Sequence, residues 1–386
     1  MSGSVPLVER VRARLADTGA GTGPAAVAAA VRAETGGVAS DLDVLAALRT
    51  LRQEFTGAGP LDALLRDPRT TDVLVTAPDA VWTDRGDGLR RAAVTFPDEA
   101  AVRRLAQRLA LAAGRRLDDA SPCVDGWLAE AGVRLHAVLP PVSAAGTAIS
   151  LRVLQPAHHD LDTLRRSGTL DAHGEVLLRA VVAARLAMLI AGGTGAGKTT
   201  LMNALLGTVD PADRVVTVED AEELRPRHPH VVRLVARPPN IEGAGGVPLR
   251  ELVRQALRMR PDRLVVGEVR GAEVCDLLAA LNTGHEGGAC TVHANSVREI
   301  PARMRALAGL GGMSPSALDG QLAAAVQVVL QMRRTPAGRV LAEIGVLRRD
   351  DTGLHVDTAW SREGGAGPGH AALAELLGER GVRPPC

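Results

Sequence analysis

Gly192-Gly193-Thr194-Gly195-Ala196-Gly197-Lys198-Thr199 contains the only lysine among the 45 basic residues of the chain; the others are all arginine. A sequence that uses arginine wherever a diffuse positive charge suffices keeps lysine where a compact ammonium fits and a wide guanidinium fork does not. A phosphate cradle is such a place. There a glycine-rich turn between strand and helix aims backbone N–H groups inward, and glycine permits both the backbone angles and the close approach. The flanks agree: an apolar strand is expected over residues 185–191 and an amphipathic helix over 198–206. The pattern places Gly192, Gly193, Thr194, Gly195, Ala196 and Gly197 around the phosphates of ATP. Lys198 then reaches the β- and γ-phosphates, the Thr199 hydroxyl binds Mg²⁺ and Thr200 adds a contact to the α-phosphate. The bland alternative, an ordinary glycine-rich turn, does not call for a strand before it and a helix after it.

Composition leaves room around this motif, since 386 residues with 46% hydrophobic content allow two or three folding units. No uncharged apolar run reaches the roughly 18 residues of a membrane span, because Arg185 interrupts the best candidate, and no signal-peptide pattern opens the chain. Cytoplasmic residence is the expectation. Cys123, Cys275, Cys290 and Cys386 are widely spaced, without a Cys-x-x-Cys pair, so neither a disulfide framework nor a zinc site is expected. A net charge of +1 and 1% aromatic content leave few platforms for stacking bases. Arginine pairs such as Arg103-Arg104 and Arg348-Arg349 read as solvated faces balanced by nearby acids, and no nucleic-acid partner is expected.

Along the chain, residues 1–57 read as an N-terminal helical segment that ends at the boundary Thr56-Gly57-Ala58-Gly59-Pro60. Residues 58–155 read as a smaller α+β domain, with strands at 72–76, 80–84, 133–139 and 148–154 and a helix at 98–113. Residues 156–168 read as a linker. Strands and helices then alternate through residues 169–350, the signature of an α/β domain with a mostly parallel sheet, and 351–386 read as a C-terminal strand and flexible tail, the tail Gly/Pro-rich around one short helix.

Three constellations follow the phosphate loop. Arg214-Val215-Val216-Thr217-Val218-Glu219-Asp220 is a β-branched strand ending in two carboxylates, where an α/β sheet places its ligand. Glu219 or Asp220 is suited to hold a Mg²⁺-bound water or to orient the attacking water; a solvated acid pair is the alternative. Arg263-Leu264-Val265-Val266-Gly267-Glu268-Val269-Arg270 looks like a Walker B strand, and Glu268 has the reach to polarise a water for in-line attack on the γ-phosphate. Gly287-Gly288-Ala289-Cys290-Thr291-Val292-His293-Ala294-Asn295 ends in His293, which is placed to sense that phosphate; taken alone, such a histidine is more often a packing residue.

In this order the motifs resemble the type II/type IV secretion ATPase family, and within it the Tad/Flp pilus assembly ATPases, including conjugal transfer-associated members. Pro229-His230-Val231-Val232-Arg233-Leu234, Arg237-Pro238-Pro239-Asn240-Ile241-Glu242-Gly243 and Leu257-Arg258-Met259-Arg260-Pro261-Asp262-Arg263 look like signatures of that subgroup, and the similarity runs over roughly residues 55–348. The resemblance implies a RecA-like P-loop core with a smaller, mobile N-terminal α+β domain. It further implies a homo-hexameric ring with ATP at subunit boundaries, docked on an integral inner-membrane platform protein and driving pilus assembly or secretion from the cytoplasmic face. By motif position Arg134 and Arg152 match arginines that close on the nucleotide in relatives, while Thr199, Glu219 and Glu268 match the Mg²⁺ surroundings, partly through water. The chain departs from the family pattern in having Ala129-Glu130-Ala131 where an Asp-Gly usually precedes Arg134, and Ala196 where serine is frequent. A nucleic-acid translocase or recombinase of similar core is the main alternative, and a slow nucleotide switch the third.

Overall fold

Val133-Arg134-Leu135-His136-Ala137 alternates apolar and polar, and in the computed structural model Val133, Leu135 and Ala137 are buried while Arg134 and His136 lie on the other face. The structure describes residues 10, 11, 14, 24–36, 57–128, 131–153, 159–239, 243–351 and 353–385. It divides into two units, Met1–Gln155 and Pro156–Cys386. The first contains α1 (Pro24–Glu34), α2 (Asp62–Leu65), β1 (Asp72–Ala77), β2 (Ala80–Asp84), β3 (Leu89–Arg91), α3 (Glu99–Ala112), β4 (Cys123–Leu128), β5 (Val133–Val138) and β6 (Ala148–Val153). Its six strands form an antiparallel sheet in the order β3-β2-β1-β6-β5-β4.

One face of that sheet is covered by α3. Asp98 caps the helix by accepting the Ala101 N–H at 2.7 Å, and Val102, Leu105, Ala106, Leu109 and Ala110 are buried at helical spacing. They join Val73, Val75, Val133, Leu135, Ile149 and Leu151 in one core. The edge strands β3 and β4 went unpredicted because Leu89-Arg90-Arg91 is exposed throughout and Gly126 interrupts the alternation in β4. The helical segment expected over residues 1–57 lies outside the described residues, apart from residues 10, 11 and 14, α1 and its C-terminal turn, and Gly57.

The second unit runs α4 (Leu161–Arg166), α5 (Ala172–Ala183), β7 (Met188–Ala191), α6 (Lys198–Leu206), β8 (Val215–Glu219), β9 (Val231–Val235), α7 (Leu249–Leu257), β10 (Arg263–Val266) and α8 (Glu273–Leu281). It continues with β11 (Ala289–Val292), α9 (Ile300–Leu310), α10 (Pro315–Ala325), β12 (Val328–Thr335), β13 (Gly338–Asp350), β14 (Gly353–Ser361), β15 (Gly365–Ala366) and α11 (His370–Glu379). Its nine strands are ordered β15-β14-β13-β12-β7-β11-β10-β8-β9. Pairing is parallel from β12 to β9 and antiparallel from β12 outward to β15. Every residue of β7, β10 and β11 is buried, as a sheet covered on both faces requires. One apolar cluster joins α4, α5, α6 and α11 to one face, and a second joins α7, α8, α9 and α10 to the other. The chain order reverses across β7, which lies between β11 and β12, and such a switch point opens a crevice at the carboxyl ends of the strands. This is the RecA-like P-loop core.

Two expectations about the ends of this unit are corrected. Residues 156–168 are not a plain linker: Asp160 caps α4 through the Thr163 N–H at 2.7 Å, and Leu161 and Leu164 are buried against Leu177 and Leu178. Residues 351–386 hold the expected strand, β14, and the expected short helix, α11, but the tail is packed rather than flexible. β14 pairs along β13 from Glu343 to Asp350, and α11 places Ala372, Leu373 and Leu377 in the same core as Trp360. The short apolar spacing in the tail, masked in sequence by flanking glycines and prolines, suffices once the sheet edge offers a surface. Among the described residues, no helix is long and apolar enough to cross a membrane.

Candidate active site

Strand β7 ends at Ala191 and α6 begins at Lys198, so the glycine loop lies at the carboxyl end of the sheet, at the switch point. Gly192, Gly195 and Gly197 have φ of 154°, 70° and 94°, which L side chains rarely adopt. Space is restricted as well. A Cβ on Gly192 would come within 2.6 Å of the Met332 carbonyl oxygen, and one on Gly197 within 3.1 Å of Arg339 Cδ. Ala196 is 2% exposed, so the position requires a small side chain. Gly197 caps α6 without a side chain, which leaves the N–H groups of the first turn for an anion.

Lys198 is buried, and its Nζ donates to the carbonyls of Gly192 and Gly193 at 2.9 and 3.1 Å and lies 3.4 Å from His293 Nδ1. His293 Nε2 stands 2.8 Å from Glu268 Oε1, outside hydrogen-bond geometry, and Glu268 Oε2 accepts from Arg270 Nη2 at 2.7 Å. The strand ends that carry these groups are tied together where Thr291 Oγ1 donates to the Gly267 carbonyl at 2.7 Å. Burial pushes the Lys198 ammonium below the usual lysine range, against the pull of Glu268. Burial, with Lys198 alongside, also lowers the His293 pKa, so the imidazole is neutral at pH 7. For Glu268, burial acts upward but is outweighed by the Arg270 guanidinium, His293 and Lys198, which together hold the carboxyl below its ordinary range.

Of the two carboxylates at the end of β8, Glu219 is buried at 3% exposure and Asp220 is exposed. Glu219 Oε1 accepts the N–H groups of Glu223 and Leu224 at 3.2 and 2.9 Å, while its Oε2 is buried and unpartnered. It packs on Gly267, where a Cβ would approach Glu219 Cγ to 2.8 Å, and this explains the glycine before Glu268. Sequence reasoning gave Glu223 no role, yet Thr199 Oγ1 donates to its Oε2 at 3.3 Å. The acidic run from Glu219 to Glu223 offered four carboxylates, and only the turn geometry selects this one.

The donor set fits ATP with Mg²⁺. The cradle excludes side chains at Gly192 and Gly197, Thr199 and Glu223 form a hydroxyl–carboxylate pair at the start of α6, and Glu219 Oε2 and Glu268 Oε1 are buried acceptors with no hydrogen bond. Lys198, Thr199, Glu223, Glu268, Arg270 and His293 therefore meet within the second unit. Arg134 and Arg152 belong to the first unit. They are direct cross-strand neighbours on β5 and β6, paired with Asp125 at 2.8 Å and Asp72 at 3.1 Å, on a face that forms a groove of about 690 Å³.

Burial raises the Glu219 pKa from 4.5 to about 7, offset in part by its two backbone N–H donors. The folded site thus favours the protonated form more than the unfolded chain does. This stability is fully present below the ordinary glutamate range and is lost as pH rises from 4.5 through about 7, a loss on the order of 3 kcal/mol. In metal- and nucleotide-free buffer, the melting temperature of the wild type should fall more steeply between about pH 5 and about pH 8 than that of Glu219→Gln. Equal slopes in calorimetry would contradict the burial argument.

The type II/IV secretion system protein family matches residues 54–355. A putative conjugal transfer protein of Mycobacterium tuberculosis strain H37Rv is 62% identical over 346 residues, spanning 88% of this chain and 98% of its own. The probable conjugal transfer protein TrbB of Sinorhizobium fredii is 30% identical over 295 residues, spanning 75% of this chain and 87% of its own. Among solved structures, the pilus retraction motor PilT with bound ADP shares the fold at a TM-score of 0.54 and 21% identity, over 74% of this chain and 81% of that one.

Proposed function

The chain belongs to the type II/IV secretion system protein family, and on that premise we propose that it is an ATP-hydrolysing motor of a conjugal transfer or Tad/Flp-type pilus apparatus. The observation that carries the proposal is the contact series Lys198–His293–Glu268–Arg270 beside a glycine loop whose helix N-terminus suits a phosphate. In this reading Lys198 binds the β- and γ-phosphates, neutral His293 reports on the γ-phosphate, and Glu268, kept ionised by Arg270, orients the attacking water. Thr199 and Glu223, with Glu219 acting through water, would hold Mg²⁺, which supplies charge neutralisation on the phosphates. By motif match with relatives, Arg134 and Arg152 would add positive charge to the phosphates, exchanging Asp125 and Asp72 for the nucleotide. The relatives named for conjugal transfer support the transfer-apparatus part of this reading; in it the working assembly is a homo-hexamer on the cytoplasmic face of the inner membrane, docked on an integral platform protein, as the family resemblance implies.

Light scattering of the purified chain with Mg²⁺ and ATP should give the mass of six copies, with turnover unchanged by single- or double-stranded DNA. A monomer under these conditions, or severalfold stimulation by DNA, would favour a nucleic-acid translocase instead.

A further inference from the structure

The β12–β13 hairpin lies along the glycine loop in a fixed register, with Met332 opposite Leu341 and Arg334 opposite Arg339. Met332 and Arg334 project on one face of β12, and that face meets the loop. Met332 limits the space at Gly192 and Gly197, Arg334 Nη1 lies 3.8 Å from the Cβ position of Gly195, and Arg339 Nε donates to the Gly195 carbonyl at 2.8 Å. Two guanidinium groups placed directly across a strand pair repel each other. Their neighbour Arg333, on the other face, is neutralised by Glu363 at 2.6 Å, whereas neither Arg334 nor Arg339 meets a carboxylate among the described residues. Among the described residues this pair is therefore an uncompensated double positive charge held against the glycine loop of residues 192–197.

We propose that Arg334 and Arg339 clamp the polyphosphate of the bound nucleotide from the same chain, a role that rests on the reading of residues 192–199 as the phosphate cradle. Arg339 now spends a charged donor on a neutral carbonyl, and turning it to a phosphate oxygen replaces that contact with a charge-assisted one. A polyanion at the loop also relieves the repulsion between the two guanidinium groups. No sequence motif points to the pair, because Arg339 lies 144 residues beyond Gly195.

Isothermal titration of Mg²⁺-ATP and, separately, of inorganic tripolyphosphate into the full chain tests the clamp in the wild type, Arg334→Ala, Arg339→Ala and Arg339→Lys. Each alanine variant should weaken both ligands by about tenfold, with Arg339→Lys intermediate and the melting temperature of the ligand-free protein unchanged in Arg334→Ala. Arg334→Ala is the critical variant, because among the described residues this side chain makes no hydrogen bond or ion pair whose loss would loosen the loop. A wild type that binds ATP beside an Arg334→Ala protein of unchanged affinity would overturn the clamp. So would a loss confined to ATP and absent for tripolyphosphate, which would assign the arginines to the nucleoside. A wild type that binds neither ligand would remove the cradle reading, and the clamp with it.

Discussion

Lys198→Ala should reduce the affinity for ATP by at least about a hundredfold and bring turnover below detection. The ammonium is buried and depressed in pKa by that burial, a desolvation penalty that the Gly192 and Gly193 carbonyls and Glu268 offset in part and that a polyanionic ligand beside it offsets further. Lys198→Arg should fail nearly as badly. The Gly192 and Gly193 carbonyls lie 2.9 and 3.1 Å from Nζ and leave no width for a planar fork. Equilibrium binding of a fluorescent ATP analogue, with circular dichroism to confirm folding, checks both variants. Binding within a few-fold of wild type would show that the nucleotide sits elsewhere.

Glu268→Gln should separate binding from chemistry. The amide preserves the volume and still accepts from Arg270, so the dissociation constant for ATP should change by no more than about threefold. The negative charge that polarises the water is lost, and kcat should fall by roughly 10²–10⁴-fold. Rapid-quench measurement of a single turnover reads the chemical step directly. If Glu268→Gln hydrolyses normally while Glu219→Gln does not, the two carboxylates exchange roles, with Glu219 acting on the water and Glu268 on the metal side.

Much of this site was legible because its chemistry is local in sequence. The strand–glycine loop–helix run around Lys198, and the strand ends carrying Glu219, Glu268 and His293, each announce a polar group at the mouth of an apolar strand, and the parallel sheet brings those mouths together. What escaped depends on contacts across long separations or within crowded acid runs. Glu223 could not be told from Glu222 or Asp220 until a turn placed it on Thr199. Arg334 and Arg339 belong to no motif, and they come to the loop only because the sheet order places β12 beside β7. The edge strands β3 and β4 carry little alternation, since Leu89-Arg90-Arg91 is exposed throughout and Gly126 breaks the pattern in β4, and α4 is a short helix whose two buried leucines count only against a preformed core. Exposed, low-pattern elements are stabilised by their neighbours, and single-segment reading cannot weigh those.

Turnover of ATP at the Lys198 site is the property on which every role assigned to the site residues depends. The measurement is steady-state phosphate release from ATP by the purified wild type with Mg²⁺ and again after chelation, with Lys198→Ala as the control. Mg²⁺-dependent release that is absent from the variant is the predicted result; phosphate release that persists in Lys198→Ala, or none from a wild type that binds ATP tightly with Mg²⁺, would contradict it.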